Sequence, residues 1–415
     1  MRPPPALLKK VILLAVCAAA TSLYVRRVIL IYMAGRGADG YRVVGLERAT
    51  QLAPGNAEFA HMLGLQLLES LPDRDRAIAE LRTAANLTPY VAQYWLDLAS
   101  AYQLAVNLPE QNAALENALR AEPNNPDITA ESAQYYLVEG DTQRSLDLLR
   151  RTLEMDPSTV TDLLPAYWRA VPDAPRLLDE AIPARPEPQI AFLRLLVGQN
   201  ETTAARQVWE RILASHGQFE PRTVLFYFDY LIQKHEVAEL AAAWHEFCLA
   251  APHSQRFLPT DNLIVNPGFE LEPLNAGLDW RHESAENVVA GTDDNIAHSG
   301  SRSLSLLFDG NPVYLAGWRQ LVPVQPGADY TFSAWIKSEN TVSSSGPRFE
   351  IIDAYTGAGI LLTEDVLETQ PWHEISGTLH VPEGTALLAL QIVRAPANTG
   401  IRGHVWIDDL KLVRR

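Results

Sequence analysis

Prolines recur at Pro54, Pro89, Pro123 and Pro157, spaced 35, 34 and 34 residues apart, and this period constrains the fold more than any other feature. A unit of that length has room for two helices and their turns. One such hairpin cannot bury its own apolar face, so it must stack on its neighbours. Proline closes the second helix of each unit because it has no N–H to donate. In the unit ending at Pro123, Trp95, Leu98, Ala99 and Tyr102 supply large, large, small and large side chains to the first helix, and Leu115 and Ala118 serve the second. Ala133, Tyr136, Gly140, Leu149 and Pro157 take the equivalent places in the next unit. Gly64, Ala77, Leu81, Ala84 and Pro89 do so in the unit before, with one extra loop residue.

These phased positions resemble the tetratricopeptide repeat, which implies an all-α solenoid; we assign it to residues 41–252. Residues 41–53 read as the second helix of an incomplete leading repeat. After Pro157 the proline phase is lost, but 203–215, 222–234 and 236–250 still read as amphipathic helices that extend the array. Pro172, Pro175, Pro183, Pro186 and Pro188 are too dense for one continuous helix and predict a bend. Residues 252–260 read as a linker. Solenoids offer a concave surface to protein partners. No charged or aromatic stripe names a partner here, so a spacer role stays open beside recruitment.

The remainder, 258–415, changes period. The strings NLIVNPGFE (262–270), HSGSRSL (298–304), WRQLVPVQPG (318–327), YTFSAWIK (330–337) and VWIDDLKL (405–412) alternate apolar with polar residues and stop at Pro, Gly, Asn or Ser. That pattern predicts half-buried antiparallel strands, and several of them in ~150 residues predict an all-β two-sheet sandwich. The wording of these blocks resembles the jelly-roll carbohydrate-binding modules of families four and nine, over about 262–412. The resemblance implies a galactose-binding-like jelly roll, a polysaccharide or other glycan as ligand, and a location outside the cytoplasm.

Sugar recognition needs aromatic faces and nearby polar side chains. Tyr314 and Trp318, in a turn-bounded segment, are the candidate stacking rings, whereas Trp335 and Trp406 lie inside alternating strands and read as core. On the family's pattern a central strand on the binding face carries polar groups, a role that Arg348, Glu350 and Asp353, and Gln391 and Arg394, fit. The same resemblance implies a structural calcium where the first strand meets the last. Glu270 and Asp408 would give carboxylates, with Asp409 as the substitute for Asp408, and backbone carbonyls near 298–300 would complete the shell. His298 reads as a turn residue.

Formal charge is −16 over 415 residues, unevenly spread: residues 1–40 hold six basic groups and one acid, leaving −21 on the rest. An acidic body without a basic stripe disfavours nucleic acid. Residues 11–25 carry no charge and are flanked by Lys9 and Lys10 and by Arg26 and Arg27; residues 28–33 extend the apolar pattern. A membrane anchor over 1–36 is expected, with a cleaved signal at Ala18, Ala19 and Ala20 as its rival. Basic flanks on both sides leave orientation undecided. Cys17 and Cys248 sit in different segments and predict no intrachain disulfide.

The sequence holds no phosphate-binding glycine loop, Gly-x-Ser-x-Gly elbow or His-Glu-x-x-His helix. Glu350 and Asp353, three apart on a strand, face opposite sides and make a poor acid–base pair. The expectation is therefore a non-catalytic protein at the bacterial inner membrane, its bulk on the periplasmic side. The sandwich binds a cell-surface or exported polysaccharide, and the solenoid recruits partner proteins. The alternatives are an assembly scaffold whose sandwich binds no sugar and, more remotely, a glycan-processing enzyme.

Overall fold

The computed structural model describes residues 5–38, 42–70, 73–214, 219–251 and 253–415. Tyr41, Ser215 and Pro252, at the ends of expected segments, lie outside them. The chain forms two compact units, Met1–Pro183 and Ala184–Arg415.

The first unit is helical: α1 (Pro5–Ala38), α2 (Val43–Leu52), α3 (Ala57–Ser70), α4 (Arg74–Leu87), α5 (Ala92–Leu104), α6 (Leu108–Ala121), α7 (Pro126–Glu139), α8 (Thr142–Met155), α9 (Val160–Ala170) and α10 (Ala174–Glu180). Each phased proline falls two residues beyond a helix end, after Leu52, Leu87, Ala121 and Met155. The helices start on side chains that accept the first orphan N–H groups: Asp73, Asn107, Asn125 and Asp141 cap α4, α6, α7 and α8. Leu81, Leu98, Ala99, Tyr102, Leu115, Ala118 and Tyr136 share one core cluster. Gly64 shows why a small residue is needed: a Cβ there would lie 2.6 Å from Leu81 Cγ. Trp95 stays half-buried and donates its indole N–H to Pro89 O at 3.1 Å.

The leading repeat is complete rather than partial. Ala34 and Ala38, at the end of α1, are buried against Leu46 and Ala49 of α2 and Leu63 of α3. Within α1, Lys9–Arg36 is long and apolar enough to cross a membrane. The apolar segment and the first repeat helix are thus one continuous helix.

The second unit begins with α11 (Pro186–Gly198), α12 (Thr202–Ala214), α13 (Leu225–Gln233) and α14 (Val237–Ala250). Ten strands follow: β1 (Arg281–His282), β2 (Val288–Asp293), β3 (Ser303–Pro312), β4 (Leu315–Pro323), β5 (Asp329–Val342), β6 (Pro347–Asp353), β7 (Gly359–Leu362), β8 (Gln370–His380), β9 (Leu387–Arg394) and β10 (Gly400–Arg414). They form two antiparallel sheets, β1-β4-β9-β6-β7 (sheet 1) and β2-β3-β10-β5-β8 (sheet 2). Trp280, Phe332, Phe349, Leu390, Val405 and Ile407 belong to the one apolar core between them.

Two expectations differ. The compact units divide after Pro183 rather than at the expected limits of 41–252 and 258–415, and α13 and α14 pack with the sandwich. Trp244 of α14 presses against Gly277, where a Cβ at φ +59° would come within 2.2 Å of the ring. The expected linker is likewise held, since Phe257 is buried and its carbonyl accepts the Trp244 indole N–H at 3.2 Å. The string 262–270 alternates like a strand but runs irregularly. Leu263 N–H reaches Leu412 O, and the Gln320 side chain bonds both the N–H and the carbonyl of Val265.

Candidate functional site

Strand alternation decides which face each expected residue occupies. On β6, Phe349 and Ile351 enter the core, so Arg348 and Glu350 project from the outer face of sheet 1. On β9, Leu388, Leu390 and Ile392 point inward and Gln391 outward. Register then aligns Arg281, Arg319, Gln391 and Glu350 across β1, β4, β9 and β6. Gln391 Nε2 donates to Glu350 Oε2 at 2.7 Å. Arg348 pairs with Asp365 at 2.9 Å. Burial pushes the Asp365 carboxyl up, but the Gly346 N–H and the Arg348 guanidinium outweigh it and hold the group below the usual carboxylate range.

Three expected binding residues are instead structural. Trp318 is only 4% exposed, in the core with Phe269 edge-on at 5.7 Å and Trp280 at 6.4 Å. Ala316, Trp318, Gln320 and Val322 are all buried, so the ring follows the inward phase of β4. Tyr314, just before β4, is 54% exposed and makes no platform with it. Arg394 is 1% exposed; its guanidinium donates to Ser345 O, Thr399 O and Ser343 Oγ and ties those loops together. Asp353 is buried and accepts the N–H groups of Tyr355 and Thr356, closing the turn after β6.

Trp335 and Trp406 lie outside the core cluster between the sheets, although Trp406 is buried as expected, at 3% exposure. Val405 and Ile407 belong to the sandwich core, whereas Trp406 between them lies on the outer face of sheet 2. There its indole donates to Asp293 Oδ2 at 2.8 Å and its ring stacks on His404 at 3.7 Å. Trp335 is half-buried under the His298 ring, 3.9 Å away and nearly parallel.

Glu270, Asp408 and the 298–302 turn do converge. Asp408 Oδ2 accepts the N–H groups of His298 and Ser299, and Oδ1 that of Asp409. Glu270 Oε1 accepts Ser301 and Arg302 N–H, and Oε2 the Ser301 hydroxyl. Burial pushes Asp408 up despite those bonds; at Glu270 the Ser301 and Arg302 bonds outweigh burial and lower the carboxyl. Asp409 faces away, toward His298 Nδ1 at 2.6 Å and the Ser299 hydroxyl. Calcium takes six to eight oxygens. Here three of the four carboxylate oxygens accept N–H donors and the fourth a hydroxyl. Three of the roughly four lone-pair sites on each carboxylate are taken, which leaves about one free on each, and among the described residues no group of three His, Cys, Asp or Glu gathers around them.

A cleft that the sequence did not announce lies within this unit. It measures about 360 Å³ and is bounded by α13 and its following turn, by Arg281 and Arg319, and by Tyr355 after β6. Asp229 bonds Arg281 at 2.5 Å, and His235 stacks on Tyr355 at 3.8 Å. The Tyr355 hydroxyl donates to Ile232 O at 3.1 Å. No periodicity links a helix end with a turn more than a hundred residues later.

In the first unit, a groove of about 530 Å³ is lined along α7 by Asp127, Glu131, Tyr135 and Val138. Nearby, His61 bonds Asp97 at 2.5 Å and packs against the Tyr94 ring, tilted by 31° with centroids 4.4 Å apart. Burial, with the Asp97 charge adding, pushes the Glu131 carboxyl up.

No family model matches the chain. It is similar to a solved family-four carbohydrate-binding module (CBM4) at 14% identity, which covers 37% of this chain and 99% of that one with a TM-score of 0.29. It is similar to the MamA protein at 14% identity, covering 46% of this chain and 92% of that one, TM-score 0.30. It is also similar to YrrB, described as a TPR protein with an unusual peptide-binding site, at 18% identity over 30% of this chain and 63% of that one, TM-score 0.27. The fold itself stands on the helices, strands and register above.

Proposed function

We propose that this chain is a non-catalytic bacterial envelope protein. It is anchored in the inner membrane by α1, with its bulk on the periplasmic side. It binds a cell-surface or exported polysaccharide on the outer face of sheet 1 and holds partner proteins along the helical groove. The observation that carries the reading is the transverse polar row Arg319, Gln391 and Glu350 on that face, with Tyr355 lining the same cleft as Arg319. Hydroxyl-bearing ligands need such fixed donors and acceptors beside aromatic rings. Glu350 is already held by Gln391, and the outer face offers no second carboxylate in that row to act as its acid–base partner. Turnover of a bound glycan would move the protein to the glycan-processing reading.

The test is a glycan array with the full chain in detergent, followed by Gln391→Ala. We expect retention of at least one polysaccharide class and a several-fold loss in the variant, as for removal of one or two polar contacts. Retention of none would favour the second reading, a protein scaffold that binds no sugar, which the groove in the first unit supports.

A further inference from the structure

We propose that the cleft between α13 and the outer face of sheet 1 takes an anionic saccharide, with the sugar's carboxylate on Arg319 and its ring against Tyr355. This rests on the reading of the second unit as a glycan binder and names the class of glycan.

The argument is one of unanswered charge. Arg281 and Arg319 are register partners on β1 and β4, and like charges directly opposite in an antiparallel pair are destabilising. Asp229 answers one of them, at 2.5 Å from Arg281 Nη2, and Gly277 O accepts from the same nitrogen at 3.1 Å. Among the described residues Arg319 has no carboxylate within ion-pair distance and stays exposed. Glu350, the next acid along the row, is two strands away, roughly 10 Å at the usual strand spacing, and is engaged by Gln391. The Nε of Arg281 is buried with no hydrogen-bond acceptor. The cleft therefore holds one uncompensated cation, in a chain whose formal charge is −16. A carboxylate is the group that guanidinium forks match best, with two parallel N–H bonds.

The rest of the cleft suits a sugar rather than a bare anion. Tyr355 is fixed at both ends, by the ring of His235 and by its hydroxyl bond to Ile232 O, so its position costs little to hold on binding. At about 360 Å³ the space lies within the range of small-molecule sites, roughly 300–1,000 Å³. α13 supplies this wall, so the site needs the helices and the sandwich of the second unit together.

The experiment uses the full chain in detergent and affinity electrophoresis in three uronate polymers: polygalacturonate, alginate and hyaluronan. Each is run beside its carboxyl-reduced form. Retardation by at least one uronate polymer is expected, falling about tenfold or more on carboxyl reduction and by a similar factor in Arg319→Gln. Arg319→Lys should retain part of the binding, and Tyr355→Ala should lose several-fold. Inorganic phosphate at equal charge should compete weakly. Equal retention of reduced and native polymers, wild-type binding by Arg319→Gln, or phosphate competing as well as a uronate oligomer overturns the proposal. If only neutral polymers bind, the anionic assignment falls while the glycan reading stands. If no polymer of either kind binds, both fall. Arg319 is exposed, so an unchanged melting curve for Arg319→Gln separates lost binding from lost fold.

Discussion

The two units encode their contacts over different distances. In the first, side-chain pairings join residues about one repeat apart or less: Arg82 with Tyr102, Ser145 with Tyr167, His61 with Asp97. In the sandwich, the bonds that decide which face a residue takes span most of the unit. Asn262 holds Leu412 N–H, 150 positions away, and Asp408 holds the turn at His298. A periodic solenoid is therefore legible from local spacing, while a sandwich yields its strands locally and its faces only through register.

The comparison breaks most sharply at Trp318. If the inward phase of β4 is right, Trp318→Ala empties a core position and costs about 3–5 kcal/mol, as large aromatic truncations do. Tyr314→Ala, four residues earlier and exposed, should stay within about 0.5 kcal/mol of the parent. Urea unfolding followed by hydrogen exchange over β4 measures both. A Trp318→Ala loss below 1 kcal/mol would return the ring to the surface and the sequence reading to favour.

Trp318 also shows what the sequence withheld. Its turn-bounded setting, after Gly310, Asn311 and Pro312, pointed outward, but Ala316, Gln320 and Val322 share its phase and are buried. That alternation was present in the string and was outweighed by the aromatic itself. Trp406 is buried, as expected, but on the other face of its sheet. It sits within a strand, as core residues do, yet Val405 and Ile407 on either side own the core and leave the indole to Asp293. Glu350 and Gln391 were expected on the binding face from the family resemblance, and register makes them partners there. Tyr355 and Arg319 went unnoticed, since the cleft they line is completed by a helix.

A second break uses pH. Asp279 is fully buried; one carboxylate oxygen accepts Leu274 N–H at 2.7 Å and the other has no partner. Burial pushes this carboxyl up to about 7, against the opposing N–H bonds. The folded-state value exceeds the unfolded one, so the native state holds the proton more tightly. Its stabilising contribution is complete below pH ~4, is lost as pH rises toward about 7, and changes little above that. Asp279→Asn, neutral throughout, should match the parent near pH 4 and exceed it at pH 8 by on the order of 3 kcal/mol. Parallel pH profiles for the two proteins would show that Asp279 titrates normally and that the segment before β1 is wet.

A smaller effect probes the helical side. Gly64→Val places a Cβ 2.6 Å from Leu81 Cγ and must part α3 from α4. Overpacking of this kind costs about 1–3 kcal/mol. Contacts that stay within a repeat confine the damage, so hydrogen exchange should rise in α3 and α4 and remain unchanged in β4 and β10. Equal loss of protection in the strands would mean that the two units unfold as one and that the local-versus-distant contrast does not extend to stability.

The smallest expected effect is that of removing calcium. An ion between Glu270 and Asp408 would share the carboxylate oxygens with the N–H donors of His298, Ser299, Ser301 and Arg302, the bonds that pin the turn before β3 to the end of β10. Those bonds already hold the two carboxylates in place, so a chelator should leave thermal unfolding of the full chain unchanged. The measurement is decisive because the alternative is large. An ion held at ~100 times its Kd stabilises the folded state by about 2.7 kcal/mol through mass action. A drop in melting temperature on chelation, restored by calcium and abolished in Asp408→Asn, would establish an ion at this clasp. The resemblance in the sequence would then have seen further than the hydrogen bonds. No drop would leave Glu270 and Asp408 as a cation-free clasp between the two ends of the sandwich, made by backbone donors alone and one serine hydroxyl.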